Sequence, residues 1–375
     1  MSKKLIIILS SVIGGLVLLI LIIWLITILK PTFYSYEKVE TKIVNATKAY
    51  YKKYPDLLPT IDGKYSLDYN TLVTEELIKP LNEILEDGDN CTSQIYIIKN
   101  GDVNSYIPML NCGEKYETRE LYRQLLKDNS VVTSGSGLYL SNEGEYYFRG
   151  KVENNYVVIG TYENSNKRYE LPWRIVSIGR DHTMRLQATK RATDKTAWDD
   201  RYNINKDQRV GYNDFELSLL KQFLEKLESD PLIFGSDEKL LLVPQFLCSG
   251  QRKLTDTTRD GSVECSKLTT NKMIFSTILP YEYIRASLDE NCKSIQDESG
   301  INYKYLFDSY ASSRWIITSN PQDTYHAYSF SGETFMESTC SSEKYVYPVV
   351  NLSDFAIYKG GNGTLENPYR VFSKK

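Results

Sequence analysis

The chain has 375 residues, a formal net charge of −3 at neutral pH and a sequence pI near 5.7. Lys and Arg total 45 against 48 Asp and Glu, so the basic excess of a nucleic-acid binder is absent. The length allows two domains, and 30 tyrosines against 12 Phe and 4 Trp favour strand-rich faces built from amphipathic rings.

Leu5 to Leu29 is an apolar run of 25 residues without a charged side chain, preceded by Lys3 and Lys4 and followed by Lys30-Pro31. As a helix it would rise about 38 Å, enough to cross a hydrocarbon core of about 30 Å with some tilt. A cleaved signal peptide would be shorter and end in small residues, whereas this run ends in Trp24-Leu25-Ile26-Thr27. The expectation is a transmembrane helix over 5–29 in a lipid bilayer, with residues 1–4 as a cytoplasmic tail. Lys30, Lys38 and Lys42 on one flank balance Lys3, Lys4 and the α-amine on the other, so charge alone leaves the direction open.

Pro31 ends the run, and Ser35 is placed to cap a second helix. Tyr36, Val39, Ile43, Ala46 and Tyr50 recur at helical spacing up to Tyr54-Pro55. A turn region with Leu58-Pro59 and Asp62-Gly63 precedes a short helix expected over 70–82. Two alternating segments, 93–98 and 103–110, then flank Asn100-Gly101-Asp102, a hairpin signal. If Gly101-Asp102 are the central turn residues, Cys91 faces Cys112. A bridge there, closing a loop of about 20 residues, would contribute roughly 3 kcal/mol in the chain-entropy model. A helix over 117–127 completes a first ectodomain, 33–127.

The order of a membrane helix, an amphipathic helix, a Leu-Pro turn, a short helix and a small disulfide-linked sheet resembles type IV pilin-like and pseudopilin proteins of Gram-positive bacteria. The pilin leader with its Gly–Phe cut site and the glutamate of the pilin apolar stretch have no counterpart here. A fixed stalk is therefore the expectation, with a pilin-like subunit of a secretion or filament apparatus as the alternative.

Six cysteines, Cys91, Cys112, Cys248, Cys265, Cys292 and Cys340, include no Cys-x-x-Cys pair, and the only histidines are His182 and His326. That spacing disfavours a structural zinc site and reads as disulfides. Sequence proximity pairs Cys248 with Cys265 and leaves Cys292 with Cys340. Such bridges place the bulk of the chain outside the cell and the N-terminus inside.

The polar segment 128–137, ending in Ser134-Gly135-Ser136-Gly137, reads as a linker. Beyond it the pattern turns to strands at 144–150, 156–160, 171–178, 183–189, 313–318, 327–330 and 345–352. Helices are expected over 218–228 and 280–287. Asp194, Asp199 and Asp200 flank Trp198 without a calcium-loop pattern. Gly360-Gly361-Asn362-Gly363-Thr364 lacks the Lys-Ser/Thr of a phosphate loop and reads as a tight turn. His326 sits in a strand-like stretch and reads as a ladder residue. No catalytic residue, metal ligand or cofactor is expected. Trp198 and Trp315 mark the expected ligand face.

Tyr146-Tyr147-Phe148-Arg149-Gly150, Trp173-Arg174-Ile175-Val176, Ala197-Trp198-Asp199, Tyr281-Glu282-Tyr283, Trp315-Ile316-Ile317-Thr318 and Tyr347-Pro348-Val349-Val350-Asn351-Leu352 carry a second resemblance. It covers 138–372 and is to a surface domain of Firmicutes and Mollicutes-like bacteria, borne on single-pass anchors, with no established reaction. That domain is distantly similar to C-type lectin and formylglycine-generating-enzyme folds. The overall expectation is α+β: a transmembrane helix, a small pilin-like stalk and a larger strand-rich domain. The resemblance implies a membrane-anchored surface protein; the cysteines, the Tyr- and Trp-rich strands and the lack of a catalytic constellation lead to the expectation that it binds a glycan, the cell wall or another surface protein. An extracellular enzyme of formylglycine-generating or carbohydrate-modifying type is the further alternative.

Overall fold

The computed structural model describes residues 33–101, 103–192, 194–230, 233–297, 305–306, 313–331 and 334–371. The apolar run 5–29 lies outside the described residues. Among those described, no helix is long and apolar enough to cross a membrane. The fold is α+β and divides into two compact units, Met1–Thr118 and Arg119–Lys375.

In the first unit, α1 (Tyr36–Lys53) buries Val39, Ile43, Ala46 and Tyr50, the stripe read from the sequence. Ser35 occupies its N-cap without a side-chain capping bond. The strands β1 (Gly63–Asp68), β2 (Thr92–Asn100) and β3 (Val103–Asn111) form one antiparallel sheet in that order. The helix expected over 70–82 is two pieces, α2 (Tyr69–Thr74) and α3 (Leu81–Ile84): the chain leaves the first where Glu76 takes φ +56°, and Pro80 stands at the N-cap of the second. The β2–β3 register pairs Thr92 with Asn111 and Asn100 with Val103, the pairing counted from the sequence, with Asp102 itself outside the described residues. Cys91 and Cys112 are disulfide-bonded with their Cα atoms 4.1 Å apart, the spacing of a close cross-strand pair.

The second unit begins earlier than the expected linker. Its first helix, α4 (Leu121–Asp128), buries Leu121, Tyr122 and Leu125 in this unit's core, and the Leu121 N–H donates to Ala356 O at 2.7 Å. The expected boundary at 128–137 is thus displaced. The amphipathic helix that was to close the first domain finds its apolar partner in the second.

The main sheet of this unit contains β4 (Gly137–Leu140), β5 (Tyr146–Arg149), β6 (Tyr156–Asn164), β7 (Lys167–Ile178) and β8 (Met184–Ala188). Strand β7 is long enough to pair with both β5 and β6 along one edge and with β8 along the other. After the short β9 (Thr196–Ala197) come α5 (Leu219–Glu228), α6 (Ser236–Lys239), β10 (Gln245–Cys248), β11 (Leu268–Met273) and α7 (Pro280–Ala286). Then β12 (Arg314–Ser319), β13 (His326–Ser331) and β14 (Thr334–Thr339) make a separate antiparallel sheet. The short β15 (Glu343–Lys344) pairs with β9, β16 (Val349–Leu352) adds to β8, and β17 (Tyr369–Arg370) lies parallel to β6. Ser218 caps α5, its hydroxyl accepting from the Lys221 N–H at 3.1 Å. The strand expected over 345–352 starts only at Val349, after Pro348.

Candidate functional site: an arginine-lined cleft

Trp198 and Trp315, the expected ligand face, are 0% and 1% exposed. The structure brings them into one neighbourhood, but inside the core. The Trp198 indole N–H donates to Ile316 O and that of Trp315 to Thr196 O, each at 2.9 Å. Their polar edges are satisfied by backbone, so they tie β9 to β12 and offer no face to a ligand. Asp199 beside Trp198 is buried and ion-paired with Arg201. Among the described residues no group of acidic, histidine or cysteine side chains is gathered as for a metal ion.

The second expected disulfide forms between Cys248 and Cys265. The third does not: Cys292 and Cys340 are buried, but their sulfurs are not joined. Backbone bonds hold them to different loops. Cys340 exchanges bonds with Asp199 N–H and Tyr325 O, while Cys292 O accepts from Arg259. The glycine-rich segment is a tight turn. Gly361 has φ +90°, and a Cβ there would lie 1.9 Å from Pro368 O.

A different site is assembled from four segments of the second unit. The turn between β4 and β5 ends in Glu145; Gly144, at φ +85°, lets it close beside Arg180. The turn between β7 and β8 supplies Gly179 and Arg180, with the Asp181 carboxylate accepting from both the N–H and the hydroxyl of Thr183. On α7, Tyr281 and Arg285 are four residues apart and so share a face. The loop between β10 and β11 contributes Arg259 and Asp260. Of these, Glu145, Gly179, Arg180, Arg259, Asp260 and Arg285, together with Tyr147 and Arg149 of β5, line a cleft of about 660 Å³. A smaller recess of about 180 Å³, lined among others by Arg185, Tyr281 and Asn351, shares Glu145 and Gly179 with it.

Two arginine–carboxylate forks stand here, Arg285–Glu145 lining the cleft and Arg185–Glu282 reaching the recess through Arg185. Arg285 donates to both oxygens of Glu145, at 2.5 and 2.9 Å, and its guanidinium lies 4.8 Å from the Tyr147 ring centre and 4.9 Å from that of Tyr281. Arg185 grips Glu282 through Nε and Nη2 and donates to Thr277 O at 2.9 Å. Glu282 also accepts from Leu279 N–H at 2.8 Å, which fixes the start of α7. Planar guanidinium forks suit such partly dry pairs better than ammonium groups. Burial alone would push the Glu145 carboxyl up, but the hydrogen bonds and charge of Arg285 override it and hold it below the usual carboxylate range.

The loop carrying Arg259 and Asp260 is fixed from within. The Cys248–Cys265 bridge closes it, and the fully buried Arg252 reaches inward from it. Arg252 donates to Glu264 at 2.8 Å and to Asp256 O and Thr258 O at 2.8 and 2.7 Å. Glu264 in turn accepts from Tyr281 N–H at 3.1 Å, which joins the loop to α7. Gly261, at φ +79°, brings the loop against Tyr281, where a Cβ would meet the ring at 2.9 Å. Burial pushes the Glu264 carboxyl up against the pull of Arg252.

The remaining arginines of the cleft have spare donors. Arg149 gives Nε and Nη2 to the single carbonyl of Ser287, at 3.2 and 2.7 Å, and lies over Tyr139. Arg259 donates to Cys292 O at 2.6 Å, and Arg180 is exposed. Among the described residues none of these three forms an ion pair with a carboxylate. The arrangement can receive oxyanions. The helix over 280–286 and the turn at 179–182 are both readable from sequence, but the cleft is not. One signal was available: all fifteen arginines lie at or beyond Arg119.

Comparison of the chain with family models, curated proteins and solved structures finds no match in any of the three.

Proposed function

We propose that the protein is a tethered extracytoplasmic binding module. The first unit is a stalk, and the second engages a ligand at the cell surface, a glycan, the wall or a neighbouring surface protein. The observation that carries this reading is the arginine-lined cleft of about 660 Å³ built on β5 and α7, within the range of small-ligand sites. Two disulfides, Cys91–Cys112 and Cys248–Cys265, support an oxidising compartment. The apolar run 5–29 supports the tether, and the disulfide-bonded three-stranded sheet under α1 supports the pilin-like stalk.

Binding of the full-length protein to arrayed glycans and to isolated wall fragments tests the reading. The expected result is saturable binding that Arg285→Met reduces by distorting the cleft floor. Absence of a ligand on both supports, with the protein folded, would sink it. Protease shaving of intact cells checks the orientation, and the expected result is loss of the region beyond residue 33.

A further inference from the structure

We propose that the ligand of this cleft is a polyhydroxylated acidic polymer, a chain carrying phosphate or carboxylate groups at intervals. The proposal rests on the surface-binding reading above. Its ground is the division of labour among the guanidinium groups. Arg285 already has its charge paired, both Glu145 oxygens accepting from it. Arg149, Arg180 and Arg259 surround the same volume with donors that no described carboxylate neutralises. Three guanidinium groups around one volume repel each other, and an arriving anion relieves that repulsion.

The acceptors narrow the class. Glu143 and Asp260 stand on the same rim, and both are exposed. Four arginines against Glu143, Glu145 and Asp260 leave an excess of one positive charge. A compact polyanion would be repelled by the two rim carboxylates. A chain with spaced charges places oxyanions on the arginines and hydroxyl donors on Glu143 and Asp260. The disulfide and the Arg252–Glu264 pair hold Arg259 and Asp260 in place before binding, which lowers the ordering cost of capturing a flexible polymer.

The test uses full-length protein in nanodiscs of zwitterionic lipid. The probes are poly(glycerol phosphate), polygalacturonate, neutral dextran and inorganic phosphate, at about 50 and about 300 mM NaCl. The expected result is binding to at least one acidic polymer, weakened roughly tenfold at the higher salt. The two polymers separate a phosphate source from a carboxylate one. Arg149→Gln, Arg180→Gln and Arg259→Gln should each weaken binding several-fold, and the triple variant should abolish it. The control pair Arg168→Gln and Arg209→Gln, exposed and outside the cleft lining, should leave binding unchanged. Circular dichroism checks that every variant is folded.

Failure of both acidic polymers to bind would overturn the proposal, as would dextran binding equally well. So would control variants that weaken binding as much as the triple variant. Inorganic phosphate binding without either polymer would also overturn it. If a neutral glycan or a protein binds and the triple variant loses it, the acidic class falls while the surface-binding reading stands.

Discussion

Every basic side chain before Arg119 is a lysine, whereas the second unit holds all fifteen arginines. The ion pairs described in the first unit keep their lysines in water: Lys53 meets Glu75 at 2.7 Å with half the lysine side chain exposed, Lys79 meets Glu83 in the open, and Lys115 reaches Asp87 from the surface. The second unit takes charge inward. Glu282 and Glu264 have fully buried side chains, each gripped by an arginine. An ammonium is strongly hydrated and stays at the surface, while a guanidinium fork can satisfy a carboxylate away from solvent. Arginine–carboxylate forks are thus framework in the second unit, and that framework shapes the cleft.

The largest expected effect breaks that framework. Arg185→Met strands the Glu282 carboxylate, whose side chain is wholly buried, and should cost about 3–5 kcal/mol. Trp173, Trp198 and Trp315 are all buried in this unit, so urea unfolding followed by tryptophan emission reads the loss. Lys53→Met, its counterpart in the first unit, should not move that transition. Equal midpoints for wild type and Arg185→Met would show that the fork is dispensable.

The disulfides sharpen the contrast next. Replacing Cys91 and Cys112 by Ser frees the ends of the β2–β3 hairpin and should cost the first unit about 3 kcal/mol. Far-ultraviolet circular dichroism should register an earlier transition while tryptophan emission keeps its midpoint. A common shift in both signals would show that the units unfold together.

That hairpin was legible in sequence because a two-residue turn fixes every pair behind it, and Cys91 and Cys112 follow from the same count. The α1 stripe and the helix at α7 were equally local. Trp198 and Trp315, the expected ligand face, are buried, and the Trp198 indole is satisfied by Ile316 O, 118 residues away, a partner no local pattern names. Pairing Cys292 with Cys340 treated an even count as a full set of bridges, and the backbone seats the two on different loops. The cleft joins Glu145, Arg180, Arg259 and Arg285 from four separate segments, and no local periodicity encodes such a meeting.

Acid separates two arginine-paired carboxylates within the second unit, the half-buried Glu145 and the buried Glu264. The folded state holds the Glu145 carboxyl below its ordinary value, so its contribution is complete above the unfolded value of about 4.3 and is lost as pH falls through the folded one. Glu264 is raised by burial, so its contribution is complete below about 4.3 and fades as pH rises through the folded value. Urea midpoints measured from neutral pH down to about 3 should therefore fall less steeply for Glu145→Gln than for wild type. Glu264→Gln should keep the acid limb and remove a loss on the rising side. An unchanged acid limb in Glu145→Gln would mean that Arg285 does not hold that carboxylate.

The smallest effect compares two serines that carry the same helix-start signal. Ser35 and Ser218 both precede an amphipathic helix and both adopt the extended backbone of an N-cap. Ser218 is fully buried, and its hydroxyl accepts from Lys221 N–H while donating to Phe215 O at 2.8 Å. Ser35 makes no side-chain capping bond. Removing a hydroxyl that satisfies an otherwise orphaned helix N–H costs about 1 kcal/mol, and removing one that satisfies none should cost little. Ser218→Ala should therefore lower the tryptophan-detected midpoint by that amount, while Ser35→Ala leaves the transition of the first unit where it was. The same residue type at the same helix position would then differ in worth because only one hydroxyl has a backbone donor to satisfy. Equal losses from both substitutions would mean that Ser35 turns onto α1 in solution and that the two caps are alike.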